Sequence, residues 1–138
     1  MSVTVARTDD LATCLAVRRV VFMEEQGVSE ADELDGLDPE CLHLVARDGA
    51  EAVGTARILF EGDTAKIGRV CVLQSHRGTG LGAELIKAAL AAAVGKASRA
   101  KLGAQLNALG FYEKLGFEVV GPVYDDAGIP HRDMVRDL

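Results

Sequence analysis

Residues 74–86 read QSHRGTGLGAELI, with Gly78, Gly80 and Gly82 at alternate positions directly ahead of an alanine-rich helical pattern. A strand that runs into a glycine-rich turn and then a helix presents unpaired amide N–H groups and the positive end of the helix dipole to one point. That combination binds an anion. The missing Cβ atoms let phosphate oxygens reach the amides, and Arg77 adds a charge-assisted donor. Two nucleotide patterns compete for these glycines. A P-loop requires Lys followed by Ser or Thr, and no such pair follows here. Gly78, Gly80 and Ala83 satisfy the loose dinucleotide pattern G-x-G-x-x-G/A, but the stretch about 20 positions on, SRAKLGA, lacks the carboxylate a ribose needs.

The remaining chemistry-bearing residues are narrower in scope. Cys14, Cys41 and Cys71 are odd in number and scattered without ligand spacing, so neither a disulfide framework nor a metal site is expected. Cys71 reads as a buried strand residue rather than a nucleophile. Fifteen basic against 21 acidic residues give a net charge of −6, which disfavours nucleic acid as a partner. From Arg19 to Arg47 no Lys or Arg intervenes, while Glu24, Glu25, Glu30, Asp32, Glu33, Asp35, Asp38 and Glu40 crowd the segment. This is either a solvated acidic loop or an electronegative lip that attracts a cationic amine. No basic segment followed by an apolar one opens the chain, and no apolar run reaches the roughly 18 residues of a membrane span. The expectation is a cytoplasmic protein that meets no membrane, folded as one domain over residues 1–138.

The elements that position these residues follow from periodicity. Residues 2–6 alternate as a strand, and Thr8 or Asp9 caps an amphipathic helix through residue 26. Two β-branched runs, residues 41–47 and 52–60, flank an Asp-Gly turn, and a third, 65–73, follows Gly62-Asp63. They form an antiparallel meander. A helix over residues 80–97 then crosses to a strand at 99–106, placed parallel to residues 69–72. Asn107 caps a short helix that Gly116 ends, and strands at 117–124 and 131–138 complete a mixed α/β sheet.

Arg77-Gly78-Thr79-Gly80-Leu81-Gly82 resembles the pyrophosphate motif R/Q-x-x-G-x-G/A of the GNAT superfamily of N-acetyltransferases, with Val70-Cys71-Val72 as the strand leading into it. The similarity extends to that family's N-x-x-A-x-x-x-Y-x-K-x-G-F motif, met here by Gln105, Ala108, Tyr112, Lys114, Gly116 and Phe117, with Gln105 in place of Asn. Residues 17–28 and 127–134 resemble a bacterial subgroup of small acetyltransferases. The resemblance implies a GNAT-like fold whose meander is followed by a β-α-β crossover with a splayed parallel strand pair. It also implies transfer of an acetyl group from acetyl-CoA to an amine of a small molecule or peptide by direct attack. A CoA-binding sensor or interaction module on the same fold is the alternative, and a homodimer stays open.

Under that resemblance, Val70, Cys71, Val72, Arg77 to Gly82, Gln105, Phe111 and Tyr112 are expected to contact CoA. Tyr112 would donate a proton to the departing thiolate. No general base transfers by motif. Glu25 is the first candidate, and His43 and His131 are the next, since only His titrates unperturbed near neutrality. Gln26, His43, Arg57 and His131 join Glu25 as expected acceptor contacts, although Arg57 could equally pair with the acidic segment.

Overall fold

The computed structural model describes residues 3–138. Strands β1 (Val3–Thr8), β2 (Leu42–Asp48), β3 (Glu51–Glu61), β4 (Thr64–Val72), β5 (Arg99–Gln105), β6 (Glu118–Asp126) and β7 (Ile129–Asp137) build one mixed sheet in the order β1-β2-β3-β4-β5-β7-β6. Among these described strands, only β4 and β5 run parallel to each other. The hairpin turns fall where glycine supplies the left-handed backbone, at Gly49 (φ 61°) and Gly62 (φ 55°). Ser2, the expected start of the first strand, lies outside the described residues.

Several boundaries differ from the sequence reading. β1 runs on to Thr8, so the cap of α1 (Leu11–Arg18) is Asp10, whose carboxylate accepts the Thr13 N–H at 3.2 Å and its hydroxyl at 2.6 Å. The helix continues from Arg19 to Glu25 as a wider π-helical stretch, followed by the short α2 (Glu30–Glu33). α3 (Leu81–Ala93) stops short of residue 97 because Val94 turns extended and Gly95 takes φ 84°. Asn107 lies inside a 3-10 turn and caps nothing; α4 (Leu109–Glu113) begins without a side-chain cap.

The two sheet faces carry different cores. On one, Leu81, Leu85, Ile86, Ala89, Leu90 and Ala93 of α3 are buried against Leu44, Val53, Ile58, Ile67 and Leu102. Each such large aliphatic is worth about 1.5–3 kcal/mol when fully buried. On the other, Val17 and Val21 pack on Cys71.

That second face also holds a charge cluster. Arg18, 1% exposed, donates Nε to Glu33 at 2.7 Å and Nη1 to Asp38 at 2.7 Å. Arg57 on β3 binds Asp35 and Asp38, and Arg69 on β4 binds the second oxygen of Glu33 at 2.7 Å and Asp35 at 3.4 Å. Three arginines thus neutralise Glu33, Asp35 and Asp38, tying the segment around α2 to α1, β3 and β4. Arg57 holds the Asp35 carboxyl well below the ordinary range. At Asp38 desolvation, the largest single influence, pushes upward, and the bonds from Arg18 and Arg57 together outweigh it.

Arg18→Met leaves Glu33 and Asp38 buried with one partner each, so a loss of about 3 kcal/mol in urea unfolding is expected, the low end for a broken buried pair. The lowered carboxylates stabilise the fold above the unfolded Asp value of about 3.9, and that contribution is lost as pH falls through the folded values. Urea midpoints measured from pH 7 down to 3 should drop below about pH 4, and the drop should be shallower in Arg57→Gln.

Candidate active site

β4 and β5 pair only at Thr64 with Arg99, Ala65 with Ala100 and Lys66 with Lys101. Beyond that point they separate. The β5-facing backbone groups of residues 67–72 therefore have no strand partner. A bulge in β4 sharpens the parting: Thr55 pairs with Cys71 and Arg57 with Gly68, so β4 carries one more residue than β3 across this step. Arg69 takes φ 51° there, and the Thr55 hydroxyl donates to its carbonyl at 3.1 Å.

The gap opens into a cavity of about 340 Å³. Its β4 and β5 walls are Ile67 to Val70, Leu102, Gly103 and Gln105. The helical wall brings Phe22, Gln26, Asp32 and Glu33, while α4 and its preceding turn bring Tyr112 and Ala108. The β6–β7 hairpin brings Tyr124, Asp126 and His131. At the mouth, Gln105 Nε2 donates to Gln26 Oε1 at 3.2 Å.

The glycine turn follows β4 after a 3-10 turn at Gln74–His76. Gly78 (φ 77°) and Gly80 (φ 85°) adopt the left-handed backbone, and a Cβ at either would meet nothing within 4 Å. Gly82 differs. A Cβ there would touch Phe111 at 3.5 Å, so this position packs the helix against α4. Gly80 caps α3 without any side-chain bond, and the first-turn amides stay unpaired. Arg77 donates Nε to the Val72 carbonyl at 2.9 Å and pairs with the Glu25 carboxylate. Two residues expected in separate roles, the base and the phosphate donor, hold each other.

Tyr112 lies edge-on to Phe111 and Phe117, with ring centroids at 5.0 and 5.9 Å. Burial alone pushes its phenol up to about 12, and its hydroxyl makes no hydrogen bond among the described residues. Cys71 is 5% exposed and shares a contact of 3.2 Å with the Thr55 hydroxyl; burial lifts its thiol to about 11. It faces α1 rather than the cavity.

The structure thus gathers Val70, Gln105, Tyr112, Gln26 and His131 around one cavity and sets Arg77 to Gly82 beside it. His43 is buried with Nε2 bonded to the Asp38 carbonyl at 2.8 Å. Arg57 belongs to the ion cluster and lines a second cavity of about 310 Å³, which meets the first at Ile67, Gly68, Leu102 and Gly103. Sequence reasoning missed Arg69, Tyr124 and Asp133. Tyr124 donates to Asp133 Oδ1 at 2.8 Å and stacks on His131 with centroids 5.9 Å apart. The signal was present: the Ala127-Gly128 turn sets Tyr124 opposite His131.

The chain belongs to the GNAT acetyltransferase family, whose acetyltransferase (GNAT) domain matches residues 20–138. It is 40% identical over 140 residues to the Uncharacterized N-acetyltransferase YjcF of Bacillus subtilis, covering 99% of this chain and 100% of that protein. The crystal structure of an acyl-CoA N-acyltransferase from Pseudomonas aeruginosa superposes with a TM-score of 0.85 at 31% identity, covering 99% of both chains. A GNAT family acetyltransferase from Elizabethkingia anophelis, known with acetyl-CoA bound, shares the fold at a TM-score of 0.75 and 17% identity, over 99% of this chain and 98% of that one. Family membership makes the protein an acyl-transferring enzyme of the GNAT type. Among the described residues no helix is long and apolar enough to cross a membrane, and no cluster of His, Cys, Asp or Glu is arranged to hold a metal ion.

Burial and the Asp133 bond raise Tyr124 above the ordinary phenol value, so neither of the two tyrosines should ionise at about pH 10, the free phenol value. A Cβ at Gly103 would lie 2.3 Å from the Tyr124 hydroxyl. Gly103→Ala should push Tyr124 off Asp133 and return one phenolate absorbance step at 295 nm toward pH 10; an unchanged titration would show that Asp133 does not set it.

Proposed function

We propose that the protein transfers an acetyl group from acetyl-CoA to a primary amine of a small molecule or peptide, by direct attack of the amine on the thioester, in the cytoplasm. The observation that carries this reading is the unpaired edge of β4 and, a short turn later, the open amides at the start of α3, which no side chain caps. Residues 70–72 offer backbone groups to pantetheine in the manner of an added strand. Gly78, Gly80 and the first turn of α3 offer amides to the pyrophosphate, with Arg77 beside them. Phe111, exposed next to Gly82, borders the same path.

Tyr112 remains protonated at neutral pH because burial holds its phenol near 12. A thiol ionises near 8.5, so full proton transfer from this phenol to a free thiolate runs uphill. Its hydroxyl therefore acts chiefly as a hydrogen-bond donor to the sulfur as charge develops there. Cys71, held protonated, forms no acyl intermediate, and Thr55 occupies it. A backbone N–H of residues 70–72 faces the thioester oxygen where negative charge collects.

CoA and acetyl-CoA should stabilise the protein in a thermal shift, by about 2.7 kcal/mol at a hundredfold excess over Kd, and NADH and ATP far less. Gly80→Ala should weaken CoA binding about 10- to 100-fold, the worth of one charge-assisted hydrogen bond, whereas Gly82→Ala should leave it intact. Tyr112→Phe should keep the fold and CoA affinity and lose about 10- to 100-fold in kcat. Free thiol release across a panel of putrescine, tyramine, glucosamine and a tripeptide reads out transfer itself. CoA binding with no thiol release would favour the sensor reading, and equal stabilisation by NADH would favour a dinucleotide site.

A further inference from the structure

Direct attack requires the amine to lose a proton, and the side chains that could take it are few. The Glu25 carboxylate is engaged by Arg77. Of the three histidines, His43 is bonded to the Asp38 carbonyl and lies outside the cavity, and His76 uses both ring nitrogens, on Ser75 and Asp48 at 2.8 Å each. Glu33 has both oxygens on arginines. Asp32 and Asp126 also bring carboxylates to the cavity wall; His131 differs from them in being buried with one ring nitrogen fixed.

Its Nδ1 lies 2.7 Å from the Ile129 carbonyl, which can only accept. That contact places the proton on Nδ1 and leaves Nε2 with a free lone pair. His131 is 9% exposed, and Nε2 has no protein partner, yet no buried side-chain nitrogen or oxygen among the described residues is left without one. Nε2 is therefore accessible, and His131 lines the cavity together with Tyr112. The ring is held in plane by stacking on Tyr124 at 26°, and Tyr124 is fixed in turn by Asp133. The charged and titratable groups around it are Tyr124, Asp125 and Asp126 on β6 and Arg132 and Asp133 on β7, while β5 faces it with the neutral Gln105. Across the cavity stand Asp32, Arg69 and Tyr112.

We infer that His131 Nε2 is the general base of the transfer, a reading that rests on the acetyl-transfer function proposed above. Nε2 takes the proton of the bound ammonium, and the neutral amine that results forms its bond to the thioester carbonyl carbon. The C–S bond then breaks, sulfur leaves with the electron pair beside the Tyr112 hydroxyl and takes the proton the nitrogen still has to lose, and the imidazolium returns its own to solvent. The products are the amide and free CoA thiol. Tyr124 is a positioning residue that sets the ring plane.

The test compares the parent with His131→Asn, which keeps a donor for the Ile129 carbonyl but no base, and with His131→Gln, whose amide reaches the Nε2 position. Both are assayed with the fastest acceptor of the amine panel at saturating acetyl-CoA. kcat/KM at pH 7 should fall about 100-fold with CoA affinity unchanged. The parent should lose activity on the acid side with one proton, and in the variants this step should vanish, the rate instead following the acceptor's own deprotonation. Hydroxylamine, largely neutral at pH 7, should show a much smaller deficit than the cationic amines. Parent-like kcat/KM and pH profile in either folded variant overturns the assignment, as does an equal deficit for hydroxylamine. Absence of thiol release from the parent with every amine overturns the transfer reading, and the assignment with it.

Discussion

The site depends on β4 and β5 ceasing to pair after Lys66 and Lys101. A parallel pair that continued would satisfy its own amides and leave no edge for a ligand. Instead the extra residue at the Arg69 bulge turns β4 away, and the carbonyl it exposes is taken up by Thr55. The left-handed backbone at a residue with a Cβ costs of order 1–2 kcal/mol. Contacts on both sides of the bulge offset it.

Those contacts come from the acidic segment. Glu33 and Asp35 draw the Arg69 guanidinium onto the chain around α2, and Arg18 and Arg57 complete the cluster from α1 and β3. The same bonds that fix the bulge fix the helical wall of the cavity, because Asp32 and Glu33 line it. The acidic run is thus mostly not a bare electronegative lip. Glu30 meets Arg19 at 3.4 Å, Glu25 meets Arg77, and Asp32 is what the segment leaves uncompensated at the cavity wall.

What is legible in the sequence follows from local physics. Asp48-Gly49 and Gly62 give the meander because their backbone needs are local, and the glycine turn with its alanine-rich helix reads directly from spacing. The cap at Asp10, the early stop of α3 at Val94 and the idle Asn107 shift by one to four residues because neighbouring strands and turns, not propensity alone, settle them. The arginine cluster is legible only at Arg57, whose pairing with the acidic segment is one of two readings the sequence allows; the rest is illegible for a different reason. Arg18, Arg57 and Arg69 lie 15 to 36 residues from Glu33, Asp35 and Asp38, and only the fold brings them together. Tyr124 and Asp133 are intermediate, since a two-residue hairpin predicts their neighbours but not that Gly103 leaves room for the phenol.

The most direct measurement of the central claim is amide hydrogen exchange with and without saturating CoA. If the parted strand edge is where the ligand pairs, residues 67–72 and 78–83 should exchange more slowly with CoA bound, while Thr64 to Lys66, already paired to β5, should change little. Protection confined to other parts of the sheet, or none at a CoA concentration that raises Tm, would contradict it.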